Sequence, residues 1–405
     1  MFEWNETHQM VRSMMTRFCA EEVVPHRDAL DTEQMLPYPI MRKLFDTFQL
    51  GHLQLAQHNK RLERDKAGKE HKPKTGPEAV DDAAMRAIPV IELSRWVPGL
   101  VTAMGVSVGL TAGAINARGS FAQRERFCPD LLSLDKIGAW AITEPSSGSD
   151  AFGAMRTTAR MDGDTFVING QKTFITNGPH ADTIVIYARL DRGEAPEDRP
   201  VVAFILDGDT PGLARGKAFR KMGMHSSPTG ELFLQDVRVG MDRLMGESLE
   251  GVSGGRAAAK STFGQERTGV AAMALGMIQE CLDRSVAYAK ERVQFGKPIG
   301  QYQLIQEKLA RMVVHRQNVE NLLFRSFGLA GAGKKASFAE ASASKLYCAR
   351  STMEVCLDAI QIHGGYGYMA EYHVEQLARD AKVLQIYGGT DEIQISQIAR
   401  DLLSR

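Results

Sequence analysis

Glu266 has the most chemical potential of any residue in this chain. Phe263, Glu266, Val270, Ala274, Met277 and Cys281 recur at spacings of three and four, the period of one helical face. Glu266 therefore interrupts an apolar stripe near the start of a predicted helix. Two readings fit. A first-turn glutamate is favoured by the helix dipole or by its neighbour Arg267. A carboxylate aimed into a pocket is desolvated, its pKa rises, and it becomes a general base near neutral pH.

Four other constellations stand out. Residues Trp140–Asp150 end a predicted strand in a turn dense with hydroxyls, where Thr143 and Ser149 could bond a polar ring edge or a phosphate. Phe174 and Thr176 alternate on a strand run just before Asn177-Gly178, where a planar cofactor could stack. Gln361–Tyr368 holds Gly364, Gly365 and Gly367, which permit close backbone approach. Tyr387-Gly388-Gly389-Thr390 precedes a final helix that Thr390 can cap, and a helix start offers free N–H groups to an anion or carbonyl. A solvated turn, a strand edge and two helix connectors are the plain alternatives.

The usual signals of other enzyme classes are absent. There is no G-x-G-x-x-G after a strand, no Walker loop, no H-E-x-x-H and no G-x-S-x-G. Five scattered cysteines without a C-x-x-C pair suggest buried thiols, with neither a metal site nor a disulfide framework. Lys and Arg number 49 against 49 Asp and Glu, so no partner bound mainly through phosphate charge, such as nucleic acid, is expected. No membrane span is expected, because no apolar run is seen to approach the roughly 18–20 residues a spanning helix needs. Met1–Met10 is polar and aromatic and carries Glu3 and Glu6, which predicts a cytoplasmic protein without a secretion signal.

Three zones must position these residues. Residues 1–135 read as helical, interrupted by a charged stretch from Asn59 to Pro77 that reads as a solvated loop or insertion. Residues 136–245 carry short β-branched runs separated by Asp162-Gly163, Asn169-Gly170, Asn177-Gly178 and Asp207-Gly208. Hairpin-length spacing leaves no room for crossover helices, so an antiparallel sheet or barrel is expected. Residues 246–405 return to long periodic helices with short joints, the pattern of an antiparallel bundle. The expected class is α+β.

Taken in order, these segments resemble the acyl-CoA dehydrogenase family. The matching stretches are Ala141–Asp150, Gly170–Gly178, Lys221–Val237, Gly264–Gln279, Arg292–Gln303 and Gln361–Gln394. The likeness runs from about residue 92 to the end and more faintly over the first 50 residues; Asn59–Asp82 departs from the family pattern. The resemblance implies N-terminal helices, a middle antiparallel β-barrel and a C-terminal four-helix bundle, with FAD between barrel and bundle. It implies oxidation of an acyl-CoA thioester to the trans-2-enoyl-CoA. A base takes the α-proton, the β-hydrogen leaves as hydride to the flavin, and an electron-transferring flavoprotein collects the electrons. It also implies a homotetramer.

Roles carry over by motif. Trp140, Ile142 and Thr143 would meet the isoalloxazine. Ser149 would sit between the FAD phosphates and the CoA, and Arg267 is expected with it at the substrate. Phe174 stands where Trp is frequent, with Thr176 beside it. Arg292, Phe295 and Gln303 would reach the adenosine pyrophosphate half of a neighbouring subunit's FAD. Gln361, Gly364, Gly365, Thr390 and Glu392 would complete the cofactor site. Many members carry the base as Glu in Tyr-Glu-Gly-Thr, where this chain has Gly388. The isovaleryl-CoA and mammalian long-chain branches place it on the first bundle helix, as Glu-Arg before small residues, which matches Glu266-Arg267-Thr268-Gly269-Val270-Ala271. Glu266 is thus the expected base. The Gly388 N–H, with a flavin ribityl hydroxyl, is the expected donor pair to the thioester oxygen. An oxidase or flavin monooxygenase of this fold, or a non-catalytic nucleic-acid-associated relative, is the alternative. The acyl chain, and CoA against a carrier protein, stay open.

Overall fold

The computed structural model describes residues 2–69, 74–249 and 255–404; at 255–266 and 268 it describes the backbone alone. The first third is helical. Its α-helices among the described residues are α1 (Glu6–Phe18), α2 (Arg27–Asp31), α3 (Tyr38–Thr47), α4 (Leu50–Lys66), α5 (Pro77–Ser94), α6 (Pro98–Met104), α7 (Gly113–Arg118) and α8 (Phe121–Ser133). Asn5 and Ser120 open α1 and α8 with reciprocal capping boxes, which satisfy N–H groups that have no partner inside a helix.

Two sequence expectations are revised here. The charged stretch from Asn59 to Pro77 is only partly a loop: α4 continues through its first half to Lys66, residues 67–69 and 74–76 are turn or irregular, and 70–73 lie outside the described residues. His58 and Leu62 give it a buried side, and Asp65 and Lys66 bind Arg124 and the Phe121 ring of α8. Charge density alone does not mark a loop when one apolar edge is retained. The residues from Pro98 to Arg118 are also long and apolar enough to cross a membrane by length and composition. Glycine and threonine disguise that run in the sequence. In the fold its Ala103, Ser107 and Thr111 side is buried against the sheet, and the Ser107 hydroxyl accepts from the Gly138 N–H at 2.8 Å.

The middle of the chain forms one seven-stranded sheet from β1 (Gly138–Ala141), β2 (Thr158–Asp162), β3 (Thr165–Thr176), β4 (Thr183–Asp191), β5 (Val201–Asp207), β6 (Leu213–Arg215) and β7 (Thr229–Gly240). The order is β1-β4-β2-β3-β7-β6, with β5 on the other side of β4. The β2–β3, β3–β7, β4–β5 and β6–β7 ladders are antiparallel. β4 departs from that pattern, running parallel to both β1 and β2. β1 pairs with Thr183–Ile186 and β2 with Arg189–Asp191. The two are one interrupted line of chain along β4, from which residues 142–157 loop outward. Asn169-Gly170, expected to separate two strand runs, instead lies within β3, where the register shifts at Gly170 (φ 153°).

Alternate residues of β1, β4 and β5 fill two cores. Ala141, Ile184 and Phe204 face Phe166, Ile168 and Leu232 inside the half-barrel. Trp140, Ile142, Val185 and Tyr187 face Ile115, Phe127 and Leu131 of the helices. Burial on both faces explains why these strands read as continuous apolar runs.

The last third holds α9 (Gly255–Glu291), the hairpin β8 (Val293–Gln294) and β9 (Lys297–Pro298), α10 (Gln303–Gly331), α11 (Phe338–His363), α12 (Val374–Lys382) and α13 (Asp391–Leu403). α9, α10 and α11 pack on one another, α13 packs on α11, and α5 closes on α9 and α10. Val270, Met277, Val319 and Val355 share the resulting core with Ile88 and Ile91.

Candidate active site

The residues singled out by sequence fall into three groups. The first lies where β1 ends. The strand alternation buries the Trp140 and Ile142 side chains among the helices, with the Trp140 ring 5.2 Å from Tyr187. The resemblance places both residues at the isoalloxazine; in the structure their side chains are packed among the helices, and Thr143 follows them at the end of the strand. Thr143 is half-buried and its carbonyl accepts from the Thr173 N–H at 2.9 Å, which joins this group to β3. Ser149 is exposed. Phe174 follows a register shift between Lys172 and Ile175 and has a φ of 56°. The irregularity turns its ring out of the sheet, 68 % exposed and 5.7 Å from Phe219. Thr176 is half-buried and pairs with Thr229.

Lys172 and Glu144 were not singled out by sequence, yet they hold this group. Lys172 donates to the Glu144 carboxylate at 2.8 Å and to the Ile142 carbonyl at 3.2 Å. Lys172 stands between Gln171 and Thr173, so its local pattern gives no signal of burial. Burial pushes Lys172 down to about 8, against the pull of Glu144. Burial opposes ionisation of Glu144 as well, but Lys172 and two backbone N–H groups outweigh it and hold the carboxyl below its ordinary value. Both directions describe a paired ion in a dry site, and the geometry supports the charged pair.

The second group surrounds the joint of α9 and α10. Arg292, Gly364 and Gly365 line one cleft of about 480 Å³ with Tyr288, His363 and Tyr366. The Arg292 guanidinium lies 5.6 Å from the Tyr366 ring, and His363 stacks on Tyr288 at 4.4 Å. Phe295 sits at the hairpin tip, 95 % exposed with φ 51°. Gln303 begins α10 and Gln361 lies in the last turn of α11, both exposed. Among the described residues, no hydrogen bond, ion pair or ring contact links Arg292, Phe295 or Gln303 to Trp140–Ser149 or Phe174–Thr176.

The third group is the turn before α13. Gly388 and Gly389 have φ of 63° and 95°, a region open to glycine. The Thr390 hydroxyl accepts from the Ile393 N–H at 3.4 Å and caps α13; Glu392 is exposed in its first turn. The Arg267 Nε donates to the Gly388 carbonyl at 3.1 Å. Arg267 is 3 % exposed, lies 4.1 Å from the Phe338 ring and also donates to the Ser342 hydroxyl. The resemblance places Arg267 at the substrate; in the structure it is buried between the Gly388 carbonyl, Ser342 and the Phe338 ring. Glu266 is on the α9 backbone beside it, and its side chain lies outside the described residues. Lys345 and Gln394, both fully buried, also reach this loop. Lys345 breaks the stripe Ala341, Cys348, Val355 on α11 as Glu266 breaks its own, so the same criterion could have found it.

The residues fit a flat, phosphate-bearing cofactor. An outward aromatic ring stands at Phe174 and a cation at Arg292, and a Cβ at Gly364 or Gly365 meets no atom within 4 Å, which leaves their backbone open. Among the described residues no cluster of metal-ligating side chains occurs.

Comparison with known proteins agrees. The acyl-CoA dehydrogenase middle domain matches residues 139–237 and the acyl-CoA dehydrogenase C-terminal domain matches residues 253–403. The short-chain-specific acyl-CoA dehydrogenase of Megasphaera elsdenii is 38% identical over 78% of this chain and 80% of its own length. A 3-(aryl)acrylate reductase of Clostridium sporogenes is 35% identical over 99% of both. A chain from the solved structure of the electron transferring flavoprotein of Acidaminococcus fermentans superimposes with a TM-score of 0.86, at 31% identity and full coverage of both chains. The chain belongs to the acyl-CoA dehydrogenase family. FAD is the cofactor of that family and of this enzyme.

Proposed function

We propose that this chain is an FAD-dependent acyl-CoA dehydrogenase whose base is Glu266 and whose electrons leave to an electron-transferring flavoprotein. The observation that carries the reading is the Arg267–Gly388 hydrogen bond, at 3.1 Å. It brings the helix position next to Glu266 against the loop residue where other members carry the base. A carboxylate on α9 and one at position 388 are then two routes to the same space, and this chain uses the first.

The chemistry follows from these residues. FAD, when bound, supplies the ring that accepts the hydride. Glu266 takes the α-proton of the thioester. As it does so, negative charge grows on the thioester oxygen, and a preorganised N–H donor such as that of Gly388 can stabilise it by about 3–4 kcal/mol. Phe174 and the backbone at Ile142–Thr143 flank the ring site, and Ser149 lies on the exposed turn where phosphates or CoA pass. Arg292, Phe295 and Gln303 face outward and are directed to the FAD of a neighbouring subunit, which supports a homotetramer.

The test is an anaerobic titration of the yellow protein with straight, branched and aryl acyl-CoA thioesters. At least one should bleach the flavin, and the bleached enzyme should reduce an electron-transferring flavoprotein. A protein that no thioester bleaches sinks the reading, and peroxide release in air would instead mark an oxidase. The 35% identity to an aryl acrylate reductase favours a second reading, in which the same site runs toward saturation of an aryl enoyl group. Chemically reduced enzyme reoxidised by an aryl-acryloyl thioester would support that direction.

A further inference from the structure

We infer that Arg267, Lys345 and Gln394 are positioning residues that turn both carbonyls of the Gly388–Gly389 loop inward, so that its amide edge faces the thioester. The inference rests on the dehydrogenase reading above. Four hydrogen bonds carry it. The Gly388 carbonyl accepts from Arg267 Nε at 3.1 Å and from Gln394 Nε2 at 3.1 Å. The Gly389 carbonyl accepts from Lys345 Nζ at 2.8 Å and from Gln394 Nε2 at 2.7 Å. The donors come from three different helices, α9, α11 and α13, and are 3 %, 0 % and 0 % exposed.

The consequence is geometric. In a trans peptide the N–H points away from the C=O of the same plane. Holding the Gly388 and Gly389 carbonyls toward the helices sends the N–H groups of Gly389 and Thr390 the other way. It also restricts the backbone at Gly388, whose own N–H precedes them. Donors that are already aimed cost no reorganisation when charge develops. The consequence is also electrostatic. A cation bonded to a peptide oxygen polarises that peptide, which makes its N–H a stronger donor. Arg267 and Lys345 each do this for one peptide of the turn, which strengthens the Gly389 and Thr390 N–H groups; the Gly388 N–H belongs to the preceding peptide and is affected only through the restricted backbone at Gly388. The arrangement explains why two buried cations lie behind a turn with no side chains of its own. Arg267 is itself fixed from behind by Ser342 and Phe338, so the turn is held by a rigid wall.

The test separates positioning from folding. Lys345→Met and Gln394→Met keep approximate size and remove the donor. The probe is a chromophoric aryl-acryloyl-CoA, whose absorption moves to the red as its carbonyl accepts stronger hydrogen bonds. The FAD-loaded wild type should show the shift. Both variants should bind the probe with similar affinity and keep their FAD, lose most of the shift, and bleach with substrate about 10- to 100-fold more slowly, the scale of a small misplacement of catalytic groups. Lys345→Arg should recover part of both. Should Lys345→Met lose FAD, Gln394→Met, which leaves no charge unbalanced, carries the same measurement. Variants with an undiminished shift overturn the clamp. A wild type that binds the probe without the red shift overturns the clamp alone, whereas a protein that no thioester bleaches overturns the dehydrogenase reading and the clamp with it.

Discussion

The Lys172 ammonium donates to the Glu144 carboxylate at 2.8 Å, and both side chains are buried, at 0 % and 3 % exposure. Glu144 also accepts from the Arg156 N–H at 2.6 Å and the Thr157 N–H at 2.9 Å. One carboxylate thus ties the far end of the 142–157 loop to its start and to β3. Lys172→Met should leave that carboxylate buried and unpaired, a loss of about 3–5 kcal/mol. Chemical denaturation of the holoprotein measures it. Adding Glu144→Gln should recover part of the loss, and a single variant as stable as wild type would show that the pair does not hold the loop.

Glu266→Gln preserves size and hydrogen bonding but cannot accept a proton. Flavin content and thioester binding should be nearly unchanged, while bleaching slows by about 10²- to 10⁴-fold, the usual worth of a general base. Stopped-flow absorbance measures it. Bleaching at the wild-type rate would place the base elsewhere.

Arg292 is exposed and faces the Gly364–Gly365 cleft. Arg292→Ala should lower FAD retention and oligomer size together, read by absorbance and light scattering on one sample. A monomeric wild type with full FAD would contradict the cross-subunit role.

His373 accounts for one pH term in stability. Burial pushes it down to about 3; its ring nitrogens lie 3.1 Å from the Gln376 side-chain oxygen and 3.0 Å from the Arg95 carbonyl. Its folded value lies below its unfolded one. From about pH 6.5 down to about 3 the unfolded chain therefore takes a proton that the folded chain refuses, and stability falls by up to about 1.4 kcal/mol per pH unit. Asp380, raised to about 6 by burial, opposes this below pH 6, because there the folded form takes up the proton first. His373→Gln removes only the first term. The stability difference, variant minus wild type, should rise steadily as pH falls from 6.5 to 4, and denaturation midpoints that stay parallel would refute this.

Much of the fold and of the candidate site is legible without coordinates, because it rests on local rules. The helical stripes of α9 to α11, the strand runs with their turns at Asp162-Gly163, Asn177-Gly178 and Asp207-Gly208, and the glycine motifs at 364 and 388 all depend on neighbours within a few residues. Glu266 stands out for the same reason: one carboxylate breaks an apolar period. What depends on distant contacts is not legible this way. The parallel register of β1 and β2 along β4 depends on a loop that leaves the sheet and returns. The helix through the charged stretch to Lys66 depends on α8 covering one side of it. The resemblance places Trp140 at the cofactor, and strand alternation packs its side chain against Tyr187. Arg267, Lys345 and Gln394 lie up to 127 residues apart, and only the packing of α9, α11 and α13 brings them to two adjacent carbonyls. Side-chain chemistry and short-range periodicity are properties of the sequence. The direction in which a buried donor points is decided by which helices pack around it.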